Sequence, residues 1–251
     1  MRLGAGPIAL KDATRMRLQS LGEQAVASSF DAMWLGESRA EGVGGGLAAA
    51  AMLAQAVPIR VGAAVDAGLY HPLHLAEDIA VADLTSQGRL EVLLRVPPEA
   101  STYLEEFLKV LAAALSGAHI QFDGEHLQVP ARLAANQPVP ERLALNPRPA
   151  QPAVPIWVEA NEDSIVKLAR ELGFGIAAKF QRRAAVPDAT GRWPGMLLCG
   201  ADVGPNELLA AAGDGAGYFV VAADTLEEVA SAGRRLVGPL RMPAFPSWIN
   251  H

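Results

Sequence analysis

Ile59-Arg60-Val61-Gly62-Ala63-Ala64-Val65 is followed by Leu90-Glu91-Val92-Leu93-Leu94-Arg95-Val96, and the two runs bracket a segment of helical periodicity opened by Pro72. Short, nearly continuous apolar runs of this kind belong to strands buried on both faces, and a helix between two of them makes a parallel βαβ unit. The same alternation extends outward in both directions. Runs at 2–10, 32–37, 59–65, 90–96, 155–160, 175–180, 195–201 and 217–223 are each followed by a helix candidate or a turn leading into one. Eight such units close into a (β/α)8 TIM barrel more economically than they form an open doubly wound sheet.

Helix ends support this order. Ser101 precedes Leu104, Phe107, Leu108, Leu111 and Leu115, with Gly117 beyond; Asp163 or Ser164 opens a helix burying Ile165, Leu168 and Leu172 that stops at Gly173; Thr225 and Glu228 form a capping box. Prolines 130, 138, 140, 147, 149, 152 and 155 break the rhythm over 118–154. Alternating Ile120, Phe122, Leu127 and Val129 around Asp123-Gly124 predict a small hairpin there, an ordered excursion between strands four and five of the barrel. With 251 residues and no clean linker, one domain over 1–251 is expected.

A net charge of -6 without a clustered Lys/Arg run argues against nucleic acid or an anionic membrane surface, since both need a concentrated positive field. The longest apolar stretch, 47–57, is too short to span a bilayer, so no membrane partner is expected. One cysteine and an N-terminus without a signal peptide's apolar core predict a cytoplasmic location.

Barrel enzymes carry their chemistry at the C-terminal strand ends. The residues there are Glu37, Ser38 and Arg39, then Asp66, Arg95, Asn161 and Glu162, Lys179 and Gln181, Asp202, and Asp224. The carboxylates among them could serve acid/base work, but carboxylates at strand ends also cap the helices that follow. No HExxH, CxxC or tight carboxylate cluster supports a metal, no GxSxG supports a serine nucleophile, and glycines 42–46 do not continue into GxGxxG.

His71-Pro72-Leu73-His74-Leu75-Ala76-Glu77-Asp78, continuing through Ala82-Asp83-Leu84-Thr85-Ser86-Gln87-Gly88-Arg89-Leu90-Glu91, resembles the signature of the bacterial luciferase-like monooxygenases, a (β/α)8 family using reduced FMN or deazaflavin F420. Phe30-Asp31-Ala32-Met33-Trp34-Leu35-Gly36-Glu37, Asn146-Pro147-Arg148-Pro149 and Pro155-Ile156-Trp157-Val158-Glu159-Ala160 extend it from about residue 20 to 180.

The resemblance implies a flavin-dependent oxidoreductase acting on a small organic substrate, with FMN, less so F420, across the barrel mouth. Arg95 and Ser164 would face the phosphate, and Ala64, Asp66 and Asn161 would meet the ring; a catalytic residue is not singled out. It also implies a homodimer through the helix opened by Pro72, with Glu77 near the interface. Three positions depart from the family pattern. Pro97-Pro98 stand where a glycine-rich, arginine-bearing turn usually helps hold the phosphate, Glu162-Asp163 stand at a helix start that would meet it, and Ser38-Arg39 replace a histidine after the second strand. These point to the alternative, a non-catalytic member that has lost flavin and serves as a binding or partner subunit.

Overall fold

The structure, a computed structural model, describes residues 1–10, 14–36, 45–96, 101–130, 143–160, 162–180 and 195–241. In chain order the strands are β1 (Arg2–Ala9), β2 (Ala32–Gly36), β3 (Arg60–Asp66), β4 (Leu90–Arg95), β5 (Phe122–Asp123), β6 (Gln128–Val129), β7 (Ile156–Glu159), β8 (Gly175–Lys179), β9 (Met196–Cys199) and β10 (Tyr218–Val221). Helices α1 (Arg15–Ala27), α2 (Gly45–Ala56), α3 (Pro72–Thr85), α4 (Ser101–Leu115), α5 (Asp163–Glu171), α6 (Pro205–Gly213) and α7 (Leu226–Ala232) alternate with them. β1, β2, β3, β4, β7, β8, β9 and β10 pair in parallel and close on one another, so the chain is a (β/α)8 barrel. All eight strand runs read from the sequence are barrel strands.

Two apolar cores follow from the period-2 alternation of each strand. The larger lies between sheet and helices, where Leu35, Val61, Val92, Val158, Leu197 and Phe219 meet the helices' buried stripes. The smaller fills the barrel: Ala32, Trp34, Ala64, Leu93, Ala177, Met196, Tyr218 and Val220, with Trp157 and Leu198 packed against them. Three large rings share this space, and glycines make room for them. A Cβ on Gly62 would lie 2.1 Å from Trp34, one on Gly175 2.4 Å from Trp157, and one on Gly4 3.0 Å from Trp34. Trp34 Nε1 donates to Tyr218 Oη at 2.8 Å, and Trp157 stands edge-on to Tyr218 with ring centroids 5.8 Å apart. The lower barrel is thus a packed aromatic plug, not a pore.

A charged network closes the base. Glu91, fully buried, accepts through Oε1 from Arg2 and, at 2.6 Å, from Arg60 Nε. Arg60 also reaches Gln151 at 3.2 Å, and Gln151 donates to buried Asp83 through its backbone N (2.8 Å) and its Nε2 (2.7 Å). These bonds tie the end of the proline-rich excursion to α3 and to the feet of β3 and β4.

The excursion contains the expected hairpin, with Phe122 opposite Val129 and Asp123 opposite Gln128. Glu106 on α4 clamps its turn, accepting backbone N–H bonds from Glu125 (2.6 Å), His126 (2.9 Å) and Leu127 (2.8 Å). Partial desolvation raises the Glu106 pKa, but the three donors outweigh it and leave the carboxyl below the usual range. The clamp is therefore complete above the ordinary glutamate range and is lost as pH falls through the lowered pKa.

Candidate active site at the barrel mouth

Trp34, Ala64, Leu93, Trp157 and Ala177 point into the barrel, so by alternation the residues two further along do too. That places Gly36, Asp66, Arg95, Glu159 and Lys179, each the last residue of its strand, on the inner rim of the C-terminal mouth. Asp66 is in register with Arg95, and Arg95 with Glu159. Lys179 Nζ lies 3.7 Å from Glu159 Oε1. Four neighbouring strands therefore end in charges of alternating sign, acid, base, acid, base.

The remaining arc differs. Leu198 and Val220 line it from β9 and β10, and Pro7 and Gly36 from β1 and β2. Asp224, beyond β10, accepts from Ala9 N, at the end of β1, at 3.2 Å. Arg95 reaches across β3 toward this arc, because a Cβ on Gly36 would lie 3.5 Å from Arg95 Nη2 and 3.4 Å from Pro7 Cβ. Gly36 is the space that the guanidinium uses.

Ala64 is fully buried in the floor and Asp66 ends β3 above it. Asp66 accepts from Gly68 N at 3.0 Å, fixing the turn into α3. Ser164 lies on the exposed first turn of α5, next to Asp163 and after the N-cap Glu162, whose side chain makes no cap hydrogen bond. Asn161, Glu37, Ser38, Arg39 and Gln181 lie outside the described residues. His71 serves as the N-cap of α3, its Nδ1 accepting from Leu73 N at 3.3 Å. Burial, with His74 nearby, lowers its pKa. Cys199 faces the outer core, and burial together with Glu207 pushes its thiol up to about 12, which leaves it inert as a nucleophile.

Glu159 was absent from the strand-end residues picked out in the sequence, although its signal was there. In Ile156-Trp157-Val158-Glu159 the period-2 pattern puts Glu159 on the face of Trp157, at the strand's end. Trp157 carries a second feature: its Nε1 is buried without a hydrogen-bond partner among the described residues. No group of three or more His, Cys, Asp or Glu among the described residues could hold a metal ion, and none of the described helices is long and apolar enough to cross a membrane.

A closed (β/α)8 barrel with a charged arc and an apolar arc at its C-terminal mouth defines the class of fold, with its polar groups at the strand ends. The pattern of the luciferase-like monooxygenases matches residues 5–94 and 96–193, and the chain belongs to that family. No curated protein matches it in sequence.

Among solved structures it is similar to the monooxygenase RslO1 from Streptomyces bottropensis, with 16% identity, 98% of this chain and 100% of that one covered, and a TM-score of 0.66. It is likewise similar to the coenzyme F420-dependent tetrahydromethanopterin reductase from Methanopyrus kandleri, with 13% identity, 96% and 99% coverage, and a TM-score of 0.65. The oxygenating constituent of 3,6-diketocamphane monooxygenase from Pseudomonas putida, solved with FMN, matches at 17% identity over 88% of this chain and 66% of that one, with a TM-score of 0.53. At these identities the likeness shows the shared fold.

Proposed function

We propose that the chain is a flavin-dependent oxidoreductase acting on a small organic substrate in the cytoplasm. The observation that carries this reading is the division of the mouth into a charged arc, Asp66 to Lys179, and an apolar arc formed by Leu198, Val220 and Pro7, with the Arg95 guanidinium reaching to Gly36 at their boundary. A flavin ring has the same two-sided chemistry, with carbonyls and N–H groups at its pyrimidine edge and a dimethylbenzene at the other. A deazaflavin F420 bears a hydroxyl on its benzo end, so the apolar arc favours a flavin.

The residues present fit that ring. Arg95 supplies guanidinium donors toward a carbonyl-bearing edge, and Asp66 and Glu159 offer acceptors for an N–H. Trp157 Nε1, without a partner among the described residues, is one more buried donor below the rim, and such a group costs about 1–3 kcal/mol until it meets an acceptor. Ala64 and Gly36 keep the floor low enough for a flat ligand. A bound flavin supplies the electron and hydride chemistry, while these residues hold it, orient it and leave the apolar arc for substrate.

Arg95→Ala is expected to weaken flavin binding about tenfold or more, the loss of one charge-assisted hydrogen bond of about 1.5–3 kcal/mol. Flavin fluorescence titration of both proteins checks this; equal affinities would remove Arg95 from the site.

The reading includes a homodimer. The outer stripes of α2 and α3, which pack side by side, carry exposed Met52, Val81 and Leu84 bordered by His74 and Glu77. Apolar side chains in such a polar frame suit a self-complementary interface. Sedimentation at micromolar concentration is expected to give twice the chain mass for the wild type and the monomer mass for Val81→Glu. A wild-type monomer would contradict the dimer.

A further inference from the structure

We propose that the mouth takes its flavin without a phosphate, as riboflavin rather than FMN; the inference rests on the flavin reading above and narrows its ligand class. Two separate observations carry it. First, the charged last residues of β3, β4, β7 and β8 are two carboxylates and two cations: Asp66, Arg95, Glu159 and Lys179 alternate from strand to strand, and Lys179 lies 3.7 Å from Glu159. Asp66 and Glu159 flank Arg95 in strand register and Glu159 stands beside Lys179, so the two carboxylates offset the positive field that a dianion would need.

Second, α5 leaves the mouth after β7, and the N-terminus of such a helix would ordinarily welcome a phosphate through its free N–H groups and dipole. Here the N-cap is Glu162, extended at φ -94 and ψ 129 and without a side-chain cap bond, and the first turn holds Asp163. Both are exposed, and Ser164 lies beside them. The chain thus places two anions of its own where a phosphate would bring a third. In the sequence, Pro97-Pro98 also remove two N–H donors from the stretch after β4.

A ligand with the flavin ring and an uncharged ribityl chain meets the mouth without this repulsion. Its hydroxyls can bond to carboxylates such as those of Glu162 and Asp163, which accept hydrogen bonds from any O–H.

The test is a fluorescence titration of the full chain with riboflavin and with FMN at low and moderate salt, repeated on the Glu162→Gln/Asp163→Asn double variant. Wild type is expected to bind riboflavin more tightly than FMN, and the difference is expected to shrink as salt screens the exposed carboxylates. The double variant is expected to tighten FMN about fivefold and to leave riboflavin within about twofold, as two charges near a helix N-terminus are worth about 0.3–1 kcal/mol each. Tighter FMN than riboflavin in the wild type, unchanged in the variant, would overturn the inference and leave the flavin reading standing. Binding of neither compound would overturn both.

Discussion

Gly62→Ala is expected to destabilise the barrel by about 3 kcal/mol or more, at the upper end of what one added methyl does to a packed core. The new Cβ would sit 2.1 Å from Trp34 Cδ2, inside any allowed contact. Trp34 has no room to retreat, being fully buried, bonded through Nε1 to Tyr218 at 2.8 Å and lying within 3.1 Å of the Cβ position of Gly4. For a chain of this size that loss corresponds to a fall in melting temperature of roughly 10 °C. Because the clash is with one ring, Trp34→Leu in the same chain is expected to return part of the loss, and thermal melts of the two single variants and the double measure the coupling. A Gly62→Ala protein that melts with the wild type would show that the barrel interior is not packed around Trp34.

The second large effect is at the base. Arg60→Met leaves the buried Glu91 with Arg2 as its remaining cation and frees Gln151 from one bond, and a loss of about 3 kcal/mol is expected. Glu91 Oε2 already lacks a partner among the described residues, so the carboxylate has no spare donor to fall back on. Both arginines keep about a third of their side-chain surface exposed, whereas Glu91 keeps none. Removing the buried charge together with its partner is therefore expected to be milder than removing the partner alone. Urea unfolding of Arg60→Met and of Arg60→Met/Glu91→Leu checks the order, and a double variant less stable than the single one would contradict it.

The signature stretch from His71 to Glu91 was the clearest feature of the sequence, and its residues prove to be scaffold. Asp83 anchors Gln151, Arg89 caps the carbonyls of Val57 (3.0 Å) and Ser86 (3.0 Å) and also bonds Ala54 O, Gly88 turns the chain at φ 73, and Glu91 joins Arg2 to Arg60. Such positions identify a fold because each has a local geometric task that few residues can meet. The strands were equally legible, since their apolar runs are long enough to stand out from the helices. Asp66, expected just past its strand, is the last residue of β3, because it stays in register with Arg95.

The site was less legible. Arg95 and Asp66 were found from their strand-end positions, but the charge alternation depends on which strands are neighbours, and β4 meets β7 only after a long excursion. The rings that plug the barrel were hidden for the same reason. Trp34, Trp157 and Tyr218 stand far apart in sequence, and nothing local marks Gly62 and Gly175 as the places where those rings rest.

Titration of the purified chain with riboflavin, read by quenching of flavin fluorescence, tests the central claim most directly. The divided mouth predicts saturable binding in the micromolar range, one flavin per chain, weakened by Arg95→Ala. A folded chain that leaves the fluorescence of both riboflavin and FMN unchanged would contradict the flavin site and leave a barrel serving as a binding or partner subunit.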